Sequence, residues 1–133
     1  MGKQDKRILW LRTSYWVGAL ADGVMAAAMI YPPMLWSLLG VSDADVNVAT
    51  RCALAMGASL MLGWTCLLLW ADRKPVERSG ILMLTVFPVI AGLALTTGFG
   101  AWIGYIPIGR AIPVWGFQLL LVLLFSFSYV TGN

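Results

Sequence analysis

Four long apolar stretches decide the class of fold that this sequence can adopt. These stretches cover, approximately, residues 8–31, 48–71, 80–102 and 112–130. Each holds roughly the 20 residues that a helix needs to cross a ~30 Å hydrocarbon core. Some of them contain continuous apolar runs, such as residues 119–125, whereas a transmembrane strand alternates polar and apolar residues. The pattern therefore predicts an all-α integral membrane protein.

The composition agrees with a chain that lies mostly in lipid. Only 11% of its residues are charged, against about 25% in an ordinary soluble domain. This excludes a soluble, secreted or disordered protein. The chain also has no histidine, which excludes His-ligated haem or zinc and any Ser-His or Cys-His nucleophile pair. We accordingly expect no metal, no cofactor and no enzymatic activity.

The basic residues mark one side of the predicted bundle. Seven of the nine lysines and arginines lie before or early in the first stretch, or between the second and third stretches: Lys3, Lys6, Arg7, Arg12, Arg73, Lys74 and Arg78. Membrane proteins keep such residues in the cytoplasm. The sequence therefore predicts a four-transmembrane-helix up-down bundle, a single membrane domain over 1–133, with the N and C termini cytoplasmic. Because the positive charge indicates orientation, we expect no binding to nucleic acid.

Prolines indicate where the helices end and bend. Pro32 and Pro33 should end the first helix, and the short segment 34–40 is predicted to lie at the outer membrane interface. Pro88 lies in the middle of the third helix and should kink it. Pro113 is predicted in the first turn of the fourth helix, where proline is tolerated.

The second helix carries both cysteines and two rows of small residues. Cys52 and Cys66 are about 21 Å apart along a helix, whereas a disulfide needs Cα atoms within about 7 Å. Small residues recur at every fourth position, as in Ala49, Ala53 and Gly57, which allows close helix approach. We therefore expect this helix to be central in the bundle and the cysteines to fill a helix interface.

Asp22 is the residue that points most directly to a function. It lies near the middle of the first helix, beside small or flexible residues such as Gly18, Ala26 and Met29. A charge at that depth costs about 2.5–3.5 kcal/mol, so the side chain should face the bundle interior. It is either a proton, ion or ligand site or a hydrogen-bonded structural group.

Three further polar residues are candidates for binding a ligand or an ion together with Asp22. Arg12 lies about 15 Å away along the same helix and about 80° around it, so the two side chains do not pair directly. It extends to the cytoplasmic headgroups or, alternatively, caps an inward-facing polar pocket with Ser14 and Tyr15. Gln118, in the fourth helix, is either structural or lines a path with Asp22 and Tyr15. The candidate set is Asp22, Arg12, Tyr15 and Gln118, with no catalytic residue.

In size, helix count and the early Arg12, the chain resembles small four-helix membrane proteins, including those of DoxX-like type. No motif is specific enough to carry residues over from a family. The C-x-x-C pair of the vitamin K epoxide reductases is missing from the sequence.

Three functions remain open at this point. The first is a non-catalytic module of the membrane: an accessory subunit or a lipid- or small-molecule-binding protein. The second is a small transporter or channel that uses Asp22, and the third is an intramembrane enzyme acting on a lipid or quinone. In each case we expect a multi-pass protein of a prokaryotic plasma membrane. Its partners are the lipid bilayer and a second copy of the chain or a larger membrane complex.

Overall fold

The computed structural model describes residues 2–40 and 47–132, and all regular structure in these ranges is helical. The helices are α1 (Lys3–Ile30), α2 (Pro32–Leu39), α3 (Val48–Ala71), α4 (Gly80–Trp102) and α5 (Ile108–Gly132). Helices α3, α4 and α5 are each long and apolar enough to cross a membrane, whereas α1 and α2 pass that test only as one pair bent by 114°. The prediction of an all-helical chain is confirmed for the described residues, and three of the helices suit a membrane.

The bend between α1 and α2 lies at the double proline. Helix α1 ends at Ile30, one residue before the predicted end, and α2 begins at Pro32, where the missing amide proton has no helical acceptor to satisfy. The predicted segment 34–40 therefore forms most of α2, which starts two residues earlier. Gly40 ends α2 with a φ of 69°, a conformation that glycine adopts without strain.

The last helix begins earlier than predicted. It starts at Ile108 rather than near Ile112, so Pro113 lies in its second turn and not in its first. The carbonyl oxygen of Pro107 accepts the amides of Arg110 and Ala111, at 2.8 and 3.1 Å, and these bonds start the helix ahead of Pro113. Pro113 therefore did not mark this helix start.

Pro88 produces a π-helical segment within α4. Residues Thr85–Ile90 form the segment, and regular α-helix continues on both sides. Proline has no amide proton for the carbonyl oxygen of Leu84, and the wider turn absorbs this loss within a continuous helix. The structure therefore has a π-helical segment at the position where the sequence predicted a kink.

Helix α1 is the centre of the bundle. It packs along both α3 and α5 and also contacts α2, while α4 packs mainly against α5. Helices α3 and α4 make little contact with each other. The expectation that the second predicted helix, α3, is central is therefore wrong. Cys52 and Cys66 are free and exposed, so they do not fill an interface within the chain.

The start of α1, the end of α5 and the connection 72–79 meet at one end of the bundle, which we call the basic end. Arg12 forms a two-point ion pair with Asp72, at 2.9 and 3.1 Å. The hydroxyls of Ser14 and Ser128 are joined by a hydrogen bond of 2.7 Å. These contacts connect the start of α1 to the end of α3 and to the end of α5.

The connection between α3 and α4 is itself held by charged contacts. The Arg78 guanidinium lies 3.2 Å from the centre of the Trp70 ring and donates to the Trp70 carbonyl oxygen at 2.5 Å. Lys74 donates to the Glu77 carboxylate at 2.9 Å, and this hydrogen bond lowers the pKa of Glu77. Within the connection, Lys74 thus pairs with Glu77 and Arg78 binds α3, while Asp72 holds Arg12 of α1.

The half of the bundle nearest the basic end is closely packed. Its core contains the largest fully buried side chains, among them Tyr15, Leu68, Leu82 and Phe125. At the opposite end, Leu35 and Trp36 of α2 form a smaller cluster with α1. The space between these two clusters is much less filled.

Candidate functional site

A cavity of about 590 Å³ occupies this space between the two packed clusters. Its walls come from α1, α4 and α5, with contributions from α3, and side chains of α2 cover it at the end opposite the basic end. Pockets that bind small molecules have volumes of about 300–1,000 Å³ and mostly apolar walls with a few polar groups. This cavity has the size and the lining of such a pocket.

The floor of the cavity is closed by a close contact between α1 and α5. Gly18 has no side chain, and the Phe125 ring fills the room beside it: a Cβ at Gly18 would lie 2.9 Å from Phe125 Cζ and 3.0 Å from Leu68 Cδ1. Phe125 is fully buried. The cavity is therefore separated from the basic end by packed side chains.

Asp22 and Gln118 both line this cavity, from α1 and α5. Among the residues that the structure describes, four buried side-chain atoms have no hydrogen-bond partner, and Asp22 Oδ2 and Gln118 Oε1 are two of them. Gln118 is only 9% exposed. A buried polar atom without a partner costs about 1–3 kcal/mol, so a group placed in this cavity to satisfy both atoms would bind favourably.

Three threonines of α4 add hydroxyl oxygens to the cavity lining: Thr85, Thr96 and Thr97. Each hydroxyl donates its proton to the backbone carbonyl oxygen four residues earlier, at 2.9 Å. Thr85 also accepts a hydrogen bond from Trp64 Nε1 at 3.0 Å. The hydroxyl groups therefore present lone pairs, and no protons, to a bound molecule.

Arg12 and Tyr15 are placed elsewhere by the structure. Arg12 pairs with Asp72, and the buried Tyr15 hydroxyl donates to the carbonyl oxygen of Pro75 at 3.0 Å. Neither residue belongs to the cavity lining. Of the four candidates, the structure thus brings together Asp22 and Gln118 and leaves Arg12 and Tyr15 at the basic end.

The lining also includes polar residues that the sequence analysis did not single out, among them Arg110 and Thr97. Arg110, at the start of α5, donates to the Ser37 carbonyl oxygen at 3.1 Å and so ties α2 across the end of the cavity. Thr97 lies on the same face as Val89 and Leu93, because the three are spaced by four residues. That spacing was visible in the sequence, but nothing in it distinguished this face of α4 from the others.

A second groove of about 640 Å³ lies on the surface of the basic end. It is lined by Lys3, Lys6, Arg7 and Trp10, with Gln4 and Thr131. Clusters of basic residues next to a membrane attract anionic lipid headgroups. The groove therefore suits contact with the membrane surface more than the enclosure of an apolar molecule.

Comparison with protein-family models, curated proteins and solved structures finds no match to this chain. In the described ranges 2–40 and 47–132, no group of three or more His, Cys, Asp and Glu residues lies close enough together to hold a metal ion.

Proposed function

We propose that this chain is a non-catalytic membrane protein that binds a small, largely apolar molecule in the cavity between its helices. The observation that carries the proposal is the cavity of about 590 Å³ into which the unpartnered Asp22 and Gln118 face. A purely structural Asp22 would have its carboxylate bonded to neighbouring helices. The cavity instead leaves both polar groups ready to orient a ligand.

The proposal includes four spans, with α1 crossing the membrane and both termini in the cytoplasm. Helix α1 has 28 residues, so its length is ample for a crossing. Its low hydropathy comes from polar residues, of which Arg12 is paired and Asp22 faces the cavity rather than lipid. The basic end carries the positive charge that favours the cytoplasmic side.

Photo-crosslinking tests the proposed binding. A dodecyl diazirine, added to the protein in lipid nanodiscs and activated by light, should label cavity residues, which peptide mass spectrometry then identifies.

Two leucines of α4 provide a variant and its matched control. Leu93 lines the cavity, while Leu95, two residues further along the helix, is 76% exposed. Leu93→Trp should fill the cavity and reduce its labelling to background, and the matched Leu95→Trp should leave it unchanged. Labelling of the outer helix faces alone would contradict the proposal.

Transport is the second candidate function, and the π-helical segment favours it. Thr85, Val89 and Ile90 of that segment line the cavity, and π turns are frequent at functional sites. Transport would require the contact between Gly18 and Phe125 to open. A proton flux in liposomes that Asp22→Asn abolishes would favour transport over binding alone.

A further inference from the structure

We infer that the molecule bound in the cavity is a cationic amphiphile, an alkyl chain that ends in an ammonium group. This inference rests on the proposed binding function and adds the chemical class of the ligand. It follows from the kind of hydrogen-bonding groups in the cavity wall and from the charge of that wall.

The unpartnered buried polar atoms of the cavity wall are hydrogen-bond acceptors. Asp22 Oδ2 and Gln118 Oε1 are buried oxygens without a partner. The hydroxyl protons of Thr96 and Thr97 are already donated to backbone carbonyl groups of α4, which leaves their lone pairs. An ammonium group carries three donors and no acceptor. An ammonium group can therefore donate to both unpartnered oxygens, whereas a carboxylate or a quinone carbonyl offers them no donor.

The charge of the wall favours a cation beside Asp22. Among the described residues that line the cavity, the one basic side chain is that of Arg110, which donates to the Ser37 carbonyl oxygen of α2. No ion pair joins Arg110 to Asp22 in the part of the chain that the structure describes. A carboxylate in low dielectric attracts an opposite charge strongly, and charge-assisted hydrogen bonds are about twice as strong as neutral ones.

The rest of the wall suits an alkyl chain. Met25, Met29 and Met61 line the cavity together with leucine and valine side chains. Methionine is unbranched and adapts to irregular shapes, so these walls accept a flexible chain without requiring one fixed outline. The polar groups hold the head of such a molecule, and the apolar walls hold its tail.

Competition against the dodecyl diazirine tests this inference. The competitors are dodecylammonium, dodecyltrimethylammonium, dodecanol and dodecanoate, added to nanodiscs of zwitterionic lipid. Dodecylammonium should displace the label at a concentration about tenfold below that of dodecanol or dodecanoate, because only it supplies both charge and donors. Dodecyltrimethylammonium supplies charge without donors and should fall between them.

Two variants and one control connect this preference to the cavity. Asp22→Asn should remove the advantage of dodecylammonium over the other competitors. Gln118→Leu should reduce that advantage, and it provides the test if the Asp22→Asn protein does not fold. Asp5→Asn makes the same change of charge at the exposed start of α1 and should keep the preference. Equal competition by the four compounds, or a full preference in both cavity variants, overturns the cationic class but leaves binding intact. Failure of the diazirine to label the wild-type cavity overturns the proposed function itself.

Discussion

Two serine hydroxyls join α1 to α5 where both side chains are fully buried. Ser128 Oγ lies 3.2 Å from the Trp10 carbonyl oxygen and 2.7 Å from Ser14 Oγ. Because a carbonyl oxygen only accepts, the single proton of Ser128 is donated to Trp10, and Ser14 must be the donor to Ser128. The result is a short directional chain of hydrogen bonds from one helix to the other.

Removing either serine should therefore loosen the same contact. We expect Ser14→Ala and Ser128→Ala each to lower the free energy of unfolding by about 1 kcal/mol. The double variant should cost little more than either single one, since both act on one hydrogen-bond chain. Denaturation in detergent measures the three values. Thr13→Ala removes an exposed hydroxyl that bonds within α1 and should have almost no effect. Additive losses would show that the two serines act separately.

The sequence predicted the surroundings of some polar residues but not the partners of others. Asp22 was expected to face the bundle interior, because a charge in lipid is costly, and Gln118 was expected either to be structural or to line a path with it. Arg12 was placed at the headgroups or in a polar pocket with Tyr15, yet its partner, Asp72, is 60 residues away at the end of α3. The periodicity of one helix contains no information about the segment that folds against its end.

At the scale of the elements, α3 and α4 are joined by one described side-chain hydrogen bond rather than by close packing. Trp64 Nε1 donates to the hydroxyl of Thr85, in the first turn of the π-helical segment. The position of Pro88 predicted a kinked helix, but not that a wider π-helical turn would keep α4 continuous. Thr85, at the start of this segment, accepts a hydrogen bond from α3, a tertiary contact that the sequence of α4 alone does not reveal.

This hydrogen bond can be tested by a change of nearly equal shape. Thr85→Val keeps the volume but leaves the half-buried Trp64 N–H without an acceptor, so we expect a loss of stability of about 1–3 kcal/mol. Thr97→Val is the matched control, because the Thr97 hydroxyl bonds only within α4. Detergent denaturation of the two variants gives the comparison. Similar losses for both would mean that the bond between the helices contributes little.

At the scale of the whole molecule, the cavity arises from an uneven distribution of packing. Large side chains such as Tyr15 and Phe125 fill the half nearest the basic end, while α2 covers the other end. The sequence identified most of the helices, but small residues on α3 wrongly placed that helix at the centre. Small residues allow another helix to approach closely, but they do not determine which helix that is. Helix α1 packs against both α3 and α5, and this arrangement depends on the packing of the whole bundle.

The number of spans can be decided by which positions lie on the same side of the membrane. In a four-span chain, the start of α1 and the connection 72–79 share one side, and the turn before α5 lies on the other. If α1 did not cross, its start would lie on the side of the membrane opposite that connection.

Cysteine labelling distinguishes these two topologies. We propose the single-cysteine variants Lys3→Cys, Val76→Cys and Tyr105→Cys, all at exposed positions, in a chain whose Cys52 and Cys66 are replaced by alanine. A membrane-impermeant maleimide added to intact cells should label only the Tyr105→Cys protein, and permeabilised cells should show labelling of all three. Labelling of Lys3→Cys in intact cells while Val76→Cys stays protected would contradict a crossing by α1, and the cavity wall that α1 provides would then need a different position in the membrane.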